Sequence, residues 1–360
     1  MGTMRKRTED KEANNVEQAE ECNRRANATL FGFDFQVNAA IVLMIENIQE
    51  MTQLKLESKN EDIDLTLKDN SHILAQAKAV VEASRDFKNV RNNLKKSLKS
   101  LSDGASKVDS KQLIFITNSP NPLKDDESRF AFYGPAHRPF KSLPESSQTI
   151  INKFISKLKL DSSFDVNKFM IQIVPFETDI DAEKYKYVKS VIDEFVGSKL
   201  LLNSPGLTAR MHTVWKDFIF NNGTKSNVKI CLSKKELIWP IITVITDISY
   251  KADEELEEII GDVDGEVYDS VIQRYSDIIN ACCDRFEFVT KVIADYASYD
   301  KECPSIRKAR IYIKERWSLF ESEFKIIADE DTRRALTKVI LFSIISNQRN
   351  INNIKQAVAL

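Results

Sequence analysis

Apolar positions along the chain follow two rhythms, and the change from one to the other divides it. In residues 53–79, QLKLESKNEDIDLTLKDNSHILAQAKA, they recur at every second position in three short runs, which predicts strands. In the second run Ile63, Leu65 and Leu67 share one face, and Asp62, Asp64 and Thr66 share the other. In the third, Ile73 to Lys78, Gln76 and Lys78 lie side by side. Lys68-Asp69-Asn70-Ser71 between these runs is a cluster of turn formers of hairpin length, so antiparallel pairing is expected. That pairing would bring Asp62 and Asp64 close to Gln76 and Lys78.

The flanking segments switch to helical spacing. A helix is predicted over residues 35–48, with Phe35, Ala39, Val42, Leu43, Met44 and Ile45 giving broad apolar coverage. A second is predicted over 84–101, where Phe87, Val90, Leu94, Leu98 and Leu101 recur at spacings of three and four. Leu113–Thr117 is an unbroken apolar run, predicted as a buried strand. Residues 118–147 form a long Pro-, Ser- and charge-rich connection carrying Phe130, Phe132, Tyr133, His137 and Arg138; loops of that length are commonly functional. A helix over 147–158, a strand over 169–174 and a helix over 182–196 complete an α-β-β-β-α-β-α-β-α order, which implies an α/β domain with a mixed sheet between helices.

From Leu200 strand signals almost vanish. Amphipathic helices are expected over 208–220, 233–250, 264–297, 305–327 and 332–357. Ser233 before Lys234-Lys235-Glu236 reads as a capping box, Asn221-Asn222-Gly223 as a helix end, and Pro240 as a kink. The expected organisation is a polar arm (1–29), an α/β domain (30–199) and an all-α domain (200–360). Asp262–Glu266 departs from an EF-hand loop because its glycine comes too early. Trp215, Trp239 and Trp317, with Tyr268, Tyr296 and Phe288, are expected in the core.

Composition narrows the classes. The 360-residue chain has 52 Lys+Arg against 54 Asp+Glu, a formal net charge of −2, so any nucleic-acid interface must concentrate positive charge locally. One candidate is the stripe Lys88, Arg91, Lys95 and Lys99, which parallels the apolar face of the second helix; the bland reading is a solvated face. The five cysteines lack C-x-x-C spacing, which argues against zinc or a disulfide framework. His72, His137 and His212 lie far apart in sequence, a poor start for a triad. No apolar run approaches the roughly 18 residues of a membrane span, and the charged start lacks a signal-peptide core, so no membrane and a cytoplasmic address are expected.

The chemistry concentrates in the hairpin. An acid on one strand opposite a (D/E/Q)-x-K on the next suits metal-dependent phosphodiester cleavage. A carboxylate and a peptide carbonyl bind a hard cation through oxygen, the metal acidifies a water, and the lysine stabilises developing negative charge. Metal ligands are then sought among Asp62, Asp64, Gln76 and the Ala77 carbonyl, for Mg²⁺ or Mn²⁺. Asp62-Ile63 and Asp64-Leu65 fit the acidic position equally well. Lys78, flanked by alanines on an interior strand, calls for a paired anion. Neutral Gln76 leaves the site one charge short, which Glu57 would offset. Gln36 either positions substrate or caps its helix, and Glu46 is either a solvated helix-end residue or an auxiliary acid.

This segment resembles the PD-(D/E)xK nuclease core in its glutamine variant, most of all the effector endonucleases of anti-phage defence: the nuclease half of SAVED-domain effectors and the nuclease subunit of Lamassu systems. Gly32-Phe33-Asp34-Phe35-Gln36 is similar to that family's G-x-x-[FY]-Q lead-in to a helix. The likeness covers roughly the first half of the chain. It implies a restriction-endonuclease-like fold, cleavage of double-stranded DNA, and catalytic roles for Asp62 or Asp64, Gln76 and Lys78. It also implies an SMC-like ATPase and a small bridging subunit as partners, with a homo-oligomer as the active state. The competing expectation is a non-catalytic nucleic-acid-binding or scaffold protein on a nuclease fold.

Overall fold

In the computed structural model, residues 27–177, 180–203, 205–246, 266–267, 270–271, 285–300, 305–325, 327 and 329–360 are described. The arm expected over 1–29 therefore lies almost wholly outside the described residues, as do Asp262–Gly265 and Tyr268. Two units separate by contact: the chain up to Asp193 with His212–Lys234, and Glu194–Met211 with Lys235–Leu360. The division differs from the expected boundary at 199 in two ways: residues 194–199 fall in the second unit, and residues 212–234 return to the first.

The alternating runs become β1 (Met51–Leu56), β2 (Ile63–Leu67) and β3 (His72–Lys78), consecutive antiparallel strands. Asn70, at φ 62°, takes the left-handed conformation of the β2–β3 turn, and Leu67 N–H donates to Ser71 O at 2.9 Å. Beyond β3 the sheet turns parallel with β4 (Ser110–Thr117) and β6 (Phe169–Ile173). Parallel neighbours need a crossover, supplied by α2 (Val90–Ala105) and α3 (Glu145–Leu158). Two strands were not foreseen: β5 (Ala136–Pro139) inside the long connection, and β7 (Leu232–Ser233). The full order is β5-β6-β4-β3-β2-β1-β7, a mixed seven-stranded sheet.

Helices cover both faces. Leu94, Leu98 and Leu101 of α2 bury against Leu74, Leu113 and Phe115. The opposite face is covered by α1 (Asn27–Glu46), whose Glu46 reaches Gln172 beside Ile116 on the sheet. Contrary to expectation, α1 is long and apolar enough to match a membrane span by composition, yet 61% of its most apolar window is buried in the protein. It also begins earlier than predicted, so Gly32–Gln36 lies inside the helix. The second helix starts at Val90, not Ser84; Ser84 instead donates its N–H to the Glu177 carboxylate at 2.8 Å. The helix expected over 182–196 divides into α4 (Asp181–Lys184) and α5 (Lys186–Glu194).

Part of α6 (Leu207–Gly223) closes the first unit. Asp34 on α1 accepts from Lys184 at 2.7 Å, Lys216 at 2.8 Å and the Tyr185 hydroxyl at 2.8 Å. Burial alone would raise its pKa; hydrogen bonds from Lys184, Lys216 and Tyr185 outweigh that and hold it below the ordinary carboxylate value. At the end of α6, Gly223 is required by close approach, since a Cβ there would sit 2.7 Å from Leu56 Cδ2 and 3.1 Å from Phe33 Cζ.

Among its described residues the second unit is helical: α7 (Lys234–Ile245, unbroken through Pro240 and beginning one residue inside the first unit), α8 (Arg285–Ser298), α9 (Ser305–Arg316), α10 (Glu330–Ser346) and α11 (Gln348–Val358). The single helix expected over 332–357 breaks at Asn347, whose side-chain amide donates to Ser343 O at 2.9 Å. Apolar nearly all round, α10 is a core helix; Leu336, Val339, Ile340 and Ile344 are fully buried. Phe288 meets Phe320 and Phe324 edge-on, and Tyr312 meets Tyr296 and Tyr299 similarly. Trp239 is buried as expected in this unit and Trp215 in the first, while Trp317 lies partly exposed under Arg334 and Lys338.

Candidate active site at the carboxyl edge of β3

The β1–β2 connection is tight. Glu57 N–H donates to Asp62 O at 2.8 Å and Ser58 N–H to Glu61 O at 3.0 Å, while Ser58 Oγ accepts from the Asn60 and Glu61 amides. Glu57 sits at φ 52°, a left-handed conformation that is uncommon for a residue with a Cβ. Its carboxylate accepts from Gln36 Nε2 at 2.8 Å, and the same amide nitrogen lies 3.1 Å from Asp62 O. Gln36 is therefore no helix cap: it ties α1 to the Glu57 carboxylate and to the Asp62 backbone.

Asp62 occupies the bend before β2, and its register carries it opposite Gln76. Oδ2 accepts from Gln76 Nε2, from Ala77 N–H at 3.1 Å and from Lys78 Nζ at 3.2 Å. A strand residue points its N–H and C=O to the same side, so the Ala77 carbonyl also faces the edge that Asp62 occupies. Lys78 is 35% exposed on its side chain, open enough to meet a ligand.

Asp64 has different partners. Inside the β2 ladder opposite Leu74, it pairs with His72 Nδ1 at 2.7 Å and accepts from Asn60 Nδ2 at 2.8 Å. Hairpin pairing thus brings Asp62 to Gln76 and Lys78, while Asp64 forms a buried brace under the turn. Glu46 also departs from the site. It lies ten residues beyond Gln36 on α1, about 15 Å along the axis, where His137 Nε2 meets it at 3.2 Å and Gln172 Nε2 at 3.1 Å. The hydrogen bond to Glu46 raises the His137 pKa above the ordinary imidazole value, with burial opposing.

The basic stripe of α2 is largely engaged in local contacts. Arg91 donates to the carbonyls of Leu123 at 2.6 Å and Lys124 at 2.9 Å, pinning the long connection. Lys95 lies 4.9 Å over the Phe154 ring, and Lys99 pairs with Asp103 at 2.7 Å. Lys88, before the helix, is exposed.

One residue of the neighbourhood escaped the sequence. Glu61 is 5% exposed, and its Oε2 accepts the Asp62 N–H at 3.2 Å. Burial pushes its pKa up to about 8, and the Asp62 carboxylate reinforces the rise against hydrogen bonds from Ser100 and the Asp62 amide. The helix sits on it: Gly104 approaches so closely that a Cβ would lie 2.8 Å from Asn60 O and 3.4 Å from Glu61 Cγ. Gly104 lies in the last turn of α2, beyond the helix end predicted at 101, so helical periodicity gave no signal of this contact.

Among the described residues, no group of three or more His, Cys, Asp or Glu is placed to hold a metal. The donors present at this edge are instead carboxylate, amide and peptide oxygens, the set that hard divalent cations take. No protein-family model, curated protein or solved structure matches the chain.

Proposed function

We propose that the first unit is a metal-dependent DNA endonuclease of the PD-(D/E)xK type. The observation that carries the proposal is the convergence of Gln76, Ala77 N–H and Lys78 Nζ on Asp62 Oδ2 at the carboxyl ends of parallel strands. Open α/β sheets commonly bind ligands at that edge.

Asp62, the Ala77 carbonyl and Gln76 Oε1, after rotation of its amide, would hold Mg²⁺ or Mn²⁺; Glu57 adds the second charge. When bound, such an ion supplies Lewis-acid polarisation of a phosphate and an acidified water. The protein's own part is positional. Gln36 fixes the Glu57 carboxylate and the Asp62 backbone together, and Lys78 presents a cation where charge accumulates on the scissile phosphate. Asp64 and His72 hold the base of the turn.

The resemblance to defence effectors extends the proposal to regulation: a cytoplasmic nuclease restrained or assembled by an SMC-like ATPase and a bridging subunit, firing as a homo-oligomer through its helical region. Uncontrolled cleavage would harm the host, which gives such control a reason.

The test uses the full chain, alone and with candidate partners, on linear and closed circular duplex DNA in Mg²⁺ or EDTA, beside Lys78→Ala. Mg²⁺-dependent cleavage by wild type alone supports the proposal. Equal cleavage by both proteins removes Lys78 from the mechanism, and no cleavage in any assembly state transfers the chain to the scaffold reading.

A further inference from the structure

The largest exposed aromatic rings of the first unit stand together in the long connection: Phe130 is 83% exposed and Tyr133 is 85%. Their backbone is not loose. Phe132 between them is fully buried, and Arg138 Nε donates to Ala131 O at 2.7 Å. Gly134, at φ 66°, then turns the chain into β5. A backbone held in place behind bare rings lowers the ordering cost of stacking against a planar partner.

Register places them. Lys78 pairs with Thr117, Thr117 with Ile173, and Ile173 with Ala136, so the residues preceding β5 lie at the same sheet edge as the Asp62 cluster. Three strand spacings separate β3 from β5, about 14 Å. That equals about four nucleotides at the ~3.4 Å rise of one DNA strand. At this edge lies a groove of about 650 Å³, walled by Pro135, Ile173, Pro175, Phe176 and Tyr187, with Glu177, Glu183 and Lys186 also lining it. Its predominantly ring and aliphatic walls suit the faces of a base. Arg129 beside Phe130 is an exposed cation, and Asp126 and Glu127 further back are exposed carboxylates, so the contact proposed below rests on the rings and not on charge.

We propose that Phe130 and Tyr133 stack on unpaired bases of the DNA strand leaving the cleavage site, so that the protein favours duplex ends carrying a single-stranded extension. This rests on the nuclease proposal for its position but not for its chemistry, because stacking needs no metal.

The test is fluorescence anisotropy of the full chain in EDTA, with fluorescein-labelled blunt duplex and the same duplex bearing a ten-nucleotide extension, about twice the span above. Wild type is expected to bind the extended duplex at least tenfold more tightly. Phe130→Ala/Tyr133→Ala is expected to lose about tenfold per ring on the extended duplex and nothing on the blunt one. Circular dichroism verifies folding, and Phe130→Trp/Tyr133→Trp is expected to restore binding. Equal affinity of wild type and the alanine variant for the extended duplex overturns the proposal. So does an equal loss on both duplexes, or a change confined to the sedimentation coefficient, which would assign the rings to a protein contact. Failure of the nuclease proposal reads differently: extension-dependent binding through the rings would persist while no DNA is cut.

Discussion

Lys78 Nζ stands 3.2 Å from Asp62 Oδ2, yet the two residues are sixteen apart in sequence and on different sides of a hairpin. The ion pair exists because β2 ends its ladder at Ile63, freeing Asp62 to swing across to β3. The two side chains are 35% and 18% exposed, so the pair is partly open to water and contributes little to stability.

Replacing Lys78 by Met should therefore separate function from stability. Its exposed pairing contributes less than about 1 kcal/mol to folding, while loss of a cation at the reacting phosphate lowers cleavage by about a hundredfold or more. Thermal unfolding beside single-turnover cleavage in Mg²⁺ measures both. A large drop in melting temperature with unchanged cleavage would make Lys78 a structural residue.

Glu57 offers the reverse separation. Its left-handed backbone at φ 52° costs about 1 kcal/mol that glycine would not incur. Glu57→Gly should fold as stably as wild type or more so, while losing divalent-cation affinity measured by titration calorimetry. Retained affinity would exclude its carboxylate from the ion.

Gly104→Ala tests the link between α2 and the acidic turn. The new methyl meets Asn60 O at 2.8 Å, a backbone atom that moves only with the turn. Destabilisation of about 1–3 kcal/mol is expected, accompanied by weaker cleavage, because Asn60–Asp62 shifts as one piece. Denaturant melts and cleavage rates on the same preparation check this, and loss of stability without loss of rate would uncouple the helix from the site.

His212 predicts a pH dependence. Burial lowers its pKa from 6.5 to about 4, helped by Lys189 and Lys216, and its Nε2 bonds Asn38 Oδ1 at 2.8 Å. The folded state thus favours the neutral ring. Between pH 6.5 and about 4 the unfolded chain binds more protons, so this contribution, full above 6.5, is lost as pH falls through that window. Urea melts of wild type and His212→Gln from pH 7 to 4 should show a steeper decline for wild type; parallel curves would remove His212 as the cause.

Much of the architecture was written locally. Period-2 runs and the Lys68–Ser71 turn determined the β2–β3 hairpin, helical spacing determined α2, and the loss of alternation after Leu200 announced a helical region, because each depends on neighbours in the chain. The same rules could not choose between Asp62 and Asp64. Alternation puts both on one face, and only the end of the β2 ladder, with His72 beside Asp64, sends them to different partners. Nor could they find β5, whose Ala-His-Arg-Pro carries no apolar alternation and is a strand only because β6 lies alongside it. The burial of Glu61 and the local partners of Arg91, Lys95 and Lys99 were likewise decided by packing. Periodicity tells which side of an element is apolar; what stands opposite is set by contacts between residues far apart in sequence, and tertiary structure alone supplies those.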